Sequence, residues 1–405
     1  MNGLHFLHSV LGRVKYEAAF FTLFLVYFQC QLPPMDVWRT DGWWLGGFWY
    51  ITYGLGFVQR GLAGSVVALF CDRLGPAEIN QIVAGCWLAL ALWTAVFCGW
   101  LARRTSEEDR PAMLYLIVIF LVMPCSFTQY CNSEMFGKLD MFHAPVLLGA
   151  AWLIVQNRML YVVPLLVAVG ILIHPSFFFL YFPSVFLLLG HCTRWRARVL
   201  LAGTALAGVG LFVSLQCAGK PDVGLDGVTA YMTGRGGDGA VSEAGFFYAY
   251  FATLSDHLAL FAKHGVRPIA NALWVFLAVL PPVWLLLAWI WRGVICRGGA
   301  EERGESLWLC LGPLAFAVPV FLALDWMRWL SSLMVCQFAV LFALHAEGCP
   351  AVRAAVSDLG LALRRRPFFF GCLALGLAIL PRAEVSGLLL NPGFTSLLKS
   401  LGLSI

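Results

Sequence analysis

Charge is what this chain has least of. Lys, Arg, Asp and Glu make up only 12% of its 405 residues, about half the share of an ordinary soluble domain. So few charges cannot furnish a water-facing surface for a chain of this length. That excludes a soluble enzyme, a disordered chain and a secreted disulfide scaffold. The 13 cysteines contain no CxxC pair, so zinc and redox sites lack support. Most of them, such as Cys86, Cys98, Cys310, Cys336 and Cys372, sit in apolar runs and read as small hydrophobes. Cys125, Cys131 and Cys217 are expected as free thiols, with a single disulfide among them as the alternative. There is no P-loop, GxSxG, HExxH or dinucleotide fingerprint, which argues against cytoplasmic ATP as energy source. No A-x-A site follows the apolar run Ala18 to Phe28, so this run is expected to be an uncleaved first span. No basic stripe interleaved with aromatics points to a nucleic acid, and no repeat recurs at a fixed period.

What the chain does have is apolar length. Hydrophobic residues reach 60% and mean hydropathy is +0.80. The expected fold is an all-α, polytopic integral membrane bundle forming a single transmembrane domain over 1–405. About eleven spans are expected, at 17–33, 79–101, 112–130, 142–156, 160–173, 176–190, 199–217, 269–291, 307–324, 332–346 and 368–383. With the N-terminus cytoplasmic, Arg13 and Lys15 lie inside, as do Arg103, Arg104 and Arg110; Arg158; Arg194, Arg196 and Arg198; Arg292, Arg297 and Arg303; and Arg353 with Arg364 to Arg366. This alternation obeys the positive-inside rule at every loop and leaves the C-terminus outside. The net charge of +5 reflects these anchors.

The unusual sequence lies on the outer face. The first outer loop, 34–78, is rich in Trp and Tyr and is expected to hold a re-entrant or interfacial helix at 61–73. The large outer loop, 218–268, carries a flexible stretch from Gly234 to Gly239, then an amphipathic helix from Tyr248 to Phe261.

Ionisable residues at membrane depth need a reason, and four groups stand out. Asp36, Arg39 and Asp41 precede Arg60-Gly61-Leu62-Ala63-Gly64. The glycines let backbone approach a ligand, Arg60 suits a phosphate, and Asp36 or Asp41 suits a general base or a divalent cation. The structural alternative is a tight turn with an interfacial arginine. Glu134, Lys138, Asp140 and His143 form the second group; Asp140 and His143, at i and i+3, share a helix face as an acid–base pair or a polar cap. His174-Pro175 is the third. Its preceding run is too short to reach the outer surface, so His174 is either a sunken cavity wall or a satisfied core histidine at a kink. Asp325-Trp326-Met327-Arg328-Trp329, at the outer end of 307–324, is the fourth. Arg328 pairs with Asp325 or faces inward to an anion.

Together these offer catalytic candidates Asp41, Asp36, Asp140, His143 and His174, and substrate-binding candidates Arg60, Gly61, Gly64, Asp325, Arg328 and Trp329. Arginines, carboxylates and histidines around an aromatic cavity suit an anionic lipid phosphate carrying a sugar. The first-loop acids, Arg60-Gly61-x-x-Gly64, the break at His174-Pro175 and Asp325-Trp326-x-Arg328-Trp329 resemble elements of bacterial polytopic glycan enzymes. These are the GT-C type glycosyltransferases and the O-antigen or capsule polymerases. The resemblance implies a bacterial inner (plasma) membrane, a polyprenyl-(pyro)phosphate-linked sugar substrate at the outer leaflet and a first-loop acid near the reaction centre. It also implies that Arg60 and Arg328 bind the phosphate. A secondary transporter or lipid-linked glycan flippase is the alternative, because broken helices and midplane charges serve transport too. Membrane lipids are the other partners expected, and a divalent cation is the one cofactor the acids invite.

Overall fold

A computed structural model describes residues 2–31, 44–130, 137–194, 197–236, 246–264, 266–318, 326–379, 382–384 and 387–389. Nearly all of these are helical. The strands among them are one short antiparallel pair, Arg382–Glu384 with Gly387–Leu389. Among the described residues, four helices are long and apolar enough to cross a membrane: Ala77–Arg104, Leu139–Gln156, Arg198–Ala218 and Trp326–Glu347. Two bent pairs, Arg110–Val122 with Pro124–Tyr130 and Ala272–Ala278 with Pro281–Arg297, make six if each is one span. The chain is therefore built as a membrane protein, but the expected count of about eleven is not met by length. The shorter apolar helices Val162–Ile173, Phe182–Cys192 and Pro367–Ile379 rise only about 16 to 20 Å, against a hydrocarbon core of about 30 Å.

The helix Trp326–Glu347 is the centre of the molecule. Its apolar window is 100% buried by protein, against 22% for Arg198–Ala218. A helix that is hydrophobic all round belongs inside a bundle, and this one packs on Pro124–Tyr130 and His143–Gln156. Arg198–Ala218 is peripheral and presents its apolar side chains outward. The first helix, Asn2–Gln31, lies along Pro76–Arg104. Gly99 makes room there for the Glu17 carboxylate, which pairs with Arg103. Arg104 Nε donates to the Ala346 carbonyl at 2.8 Å, tying that helix to the end of the central one. Both arginines stand in a last helical turn, where cations complement the macrodipole.

Prolines set the breaks. Met123 before Pro124 and His174 before Pro175 are both extended, as steric clash with a following proline ring requires. The first bends its pair of helices by 49°; the second ends Val162–Ile173 and starts a new helix at Phe177.

Further expected elements are interrupted. The run 307–324 is interrupted at Gly312-Pro313, where the helix Ala300–Leu311 tightens into a 3-10 turn, Gly312–Ala317. Residues 326–329 then open the next helix instead of closing this one. The amphipathic helix expected over 248–261 divides into a π-turn, Phe247–Phe251, and a helix, Leu254–His264. The break is a reciprocal cap: the Thr253 backbone N–H donates to Asp256 at 2.7 Å, and the Asp256 N–H donates to Thr253 Oγ1 at 3.3 Å. These bonds from Thr253 hold the exposed Asp256 carboxyl below its usual range.

Candidate functional site

Arg60 stands directly before the helix Gly61–Ala68 in left-handed conformation, φ 61° and ψ 15°. A non-glycine residue there costs roughly 1–2 kcal/mol and persists only when its surroundings over-determine it. They do. The Gln59 N–H donates to the Gly219 carbonyl at 3.2 Å, Gln59 Nε2 donates to the Leu215 carbonyl at 3.3 Å, and the Tyr250 hydroxyl donates to the Gln59 carbonyl at 3.0 Å. Burial pushes the Tyr250 phenol above its ordinary value, so it remains a neutral donor. The Arg60 guanidinium lies 4.4 Å from the centroid of the Phe48 ring, a cation–π contact.

The close approach expected of Gly61 and Gly64 exists, but its partner is the chain itself. A Cβ at Gly64 would lie 2.0 Å from the Ile51 carbonyl oxygen, and one at Gly61 would meet the Tyr53 ring at 2.8 Å. These glycines seat the short helix, and hence Arg60, on its own preceding turn.

Arg60 opens onto a cavity of about 560 Å³ that also receives His174, Trp329, Lys220, Tyr248 and His257. His174 Nδ1 accepts the Ser176 backbone N–H at 3.2 Å and lies 2.7 Å from Ser176 Oγ. A backbone N–H can only donate, so Nδ1 is the unprotonated nitrogen of the neutral ring and Nε2 carries the hydrogen. His174 lies within electrostatic reach of Arg60, Arg328, Asp140 and His143 together. No Asp or Glu lines this cavity among the described residues, whereas the basic side chains of Arg60 and Lys220 do.

Behind His174 is a buried polar layer. Arg328 Nη1 donates to Asp140 Oδ2 at 2.8 Å, with the two side chains 12% and 9% exposed. Asp140 Oδ1 is 4.0 Å from His143 Nδ1, and the His143 ring is 5.8 Å from that of His174. Gln129 ties the layer to the bundle: its Nε2 donates to the Arg328 carbonyl at 2.6 Å, and its Oε1 accepts the Tyr181 hydroxyl.

The expected residues therefore separate by depth. Arg60, His174 and Trp329 share one cavity. Asp140, His143 and Arg328 form the layer behind it, with Arg328 Nη1 bonded to Asp140. Gly61 and Gly64 are positioning residues. Asp36, Asp41 and Asp325 lie outside the described residues, as do Arg39, Glu134, Cys131 and Asp238. Cys125 is a buried free thiol and Cys217 an exposed one. Among the described residues no three His, Cys, Asp or Glu gather as metal ligands. Reading the sequence missed Lys220, Gln129, Tyr181 and Ser176. A polar residue next to a marked histidine was the available signal for Ser176; the others come from distant segments and carry no local mark. Compared with protein-family models, curated proteins and solved structures, the chain matches none of them.

Proposed function

We propose that this chain is a membrane-embedded glycosyltransferase or polysaccharide polymerase that acts on polyprenyl-(pyro)phosphate-linked sugars at the outer leaflet. The observation that carries the reading is the lining of the Arg60 cavity: an arginine, a lysine, two histidines and no carboxylate among the described residues. Its volume, about 560 Å³, falls within the usual 300–1,000 Å³ of ligand pockets. In this reading Arg60 and Lys220 hold the phosphate and offset the charge that grows on it as it leaves. The His174 Nε2–H donates a further hydrogen bond to an anionic oxygen, a role that replaces the general base. Tyr248 and Trp329 offer ring faces to the sugar, and Phe179 and Phe212 supply apolar wall. Arg328 and Asp140 position His174 from behind. Deprotonation of the acceptor hydroxyl falls to Asp36 or Asp41, which would also be the ligands of a divalent cation. The shorter apolar helices, together with the first helix and the interrupted run 307–324, complete the about eleven crossings where protein buries their ends, with the N-terminus cytoplasmic and the C-terminus outside, in a bacterial inner membrane.

The test is surface-glycan synthesis in the native host. Arg60→Ala abolishes it while protein levels stay normal, and Arg328→Ala abolishes it as well; normal glycan chains in both variants reject the reading. The helix break at His174-Pro175 beside the cavity favours a second reading, a transporter or flippase. Solute accumulation in vesicles that contain no lipid-linked sugar would select it.

A further inference from the structure

A second cavity, about 870 Å³, lies between the helices Pro281–Arg297, Pro350–Arg365 and Pro367–Ile379. It shares no residue with the Arg60 cavity. Its walls include Leu285, Trp289, Leu361 and Phe369, all exposed large apolar side chains. From Pro281 to Trp289 the wall runs about 12 Å along the helix at 1.5 Å per residue, long enough to lie against a stretch of hydrocarbon chain. Pro281–Arg297 belongs to a candidate bent span, and Pro367–Ile379 is apolar, so the slot is flanked by lipid-compatible helices.

The charges in this slot are not balanced. Asp358 is its one acid, and that carboxylate is taken by Arg297. Arg365 and Arg366 line the same cavity, are exposed, and have no ion-pair partner among the described residues. Their position at the end of Pro350–Arg365 suits the helix dipole, but that accounts only for the cations and not for the apolar slot that they adjoin. Two guanidinium groups beside an apolar groove match a molecule with an anionic head and an acyl tail.

We propose that this groove binds one anionic phospholipid, its phosphate on Arg365 and Arg366 and an acyl chain along Leu285 and Trp289. The site is independent of the proposed reaction at Arg60. Cations near a membrane surface attract anionic headgroups additively, so loss of both arginines weakens retention roughly 10- to 30-fold.

The test is native mass spectrometry of the full chain in mild detergent, incubated with phosphatidylglycerol and phosphatidylcholine of the same chain length. One phosphatidylglycerol is expected to be retained in preference to phosphatidylcholine. R365A/R366A loses that preference, and L285W, which fills the slot and leaves the arginines intact, loses the bound lipid. R158A, which removes an exposed arginine elsewhere, changes neither. Equal loss in R158A marks general surface attraction and overturns the proposal. Full retention by L285W, or displacement by inorganic phosphate alone, marks a headgroup-only contact and overturns it as well. A dimer that the groove variants dissociate, with no lipid retained, gives the face to a second copy instead.

Discussion

Removing the Arg328 guanidinium should expose how much of the site is held by one buried ion pair. Arg328 and Asp140 are joined at 2.8 Å with 12% and 9% of their side chains exposed, so neither charge has water to fall back on. Deleting one partner of such a pair leaves the other uncompensated and costs about 3–5 kcal/mol, whereas an exposed pair is worth at most about 1 kcal/mol. The bond from Gln129 goes to the Arg328 backbone carbonyl, so it survives Arg328→Ala and does not contaminate the measurement. The assay is a double-mutant cycle of Arg328→Ala, Asp140→Asn and the double variant, read by denaturant unfolding of the purified protein. The double variant should recover most of the loss, because no charge is then stranded; a coupling of about 3 kcal/mol is expected. A loss below about 1 kcal/mol for Arg328→Ala, or additive single effects, would refute the pairing and with it the buried layer behind His174.

Arg60→Gly should be no less stable than Arg60→Ala, since glycine takes φ 61° freely, while both variants lose binding of a polyprenyl pyrophosphate; thermal unfolding beside a binding titration checks this. Gly64→Ala forces a methyl against the Ile51 carbonyl, a backbone contact that cannot rotate away. It should cost about 1–3 kcal/mol and abolish turnover by shifting Arg60, as the same two assays would read. Cys217 and Cys296 are both exposed and fall on opposite sides in the proposed topology. A membrane-impermeant maleimide should label Cys217 in intact cells and Cys296 only after permeabilisation; the reverse pattern inverts the orientation.

Helix positions were legible in the sequence because apolar runs and prolines are local signals. The break at His174-Pro175 and the depth of that histidine follow from run length and the constraint of a proline ring. Burial was less legible. The run 332–346 reads as a short span, yet with Trp326 to Ser331 it becomes the innermost helix, and nothing in a hydrophobic run says whether protein or lipid surrounds it. The partner of Arg328 was hidden for a related reason: Asp140, which accepts its hydrogen bond, lies 188 positions away, while Asp325 lies outside the described residues. Likewise, the glycines after Arg60 signal a close approach without naming what approaches.

The helix surrounded on every side by its own chain belongs to the last fifth of the sequence. Helices translated before it include two of its main packing partners, Pro124–Tyr130 and His143–Gln156. Biogenesis of this protein then has a committing step: the contacts that those helices make with the central one form only after residue 347 has left the ribosome. A product halted before Trp326 is therefore a natural client for membrane chaperones and quality-control proteases, whereas one halted after Gly348 already contains the whole keel.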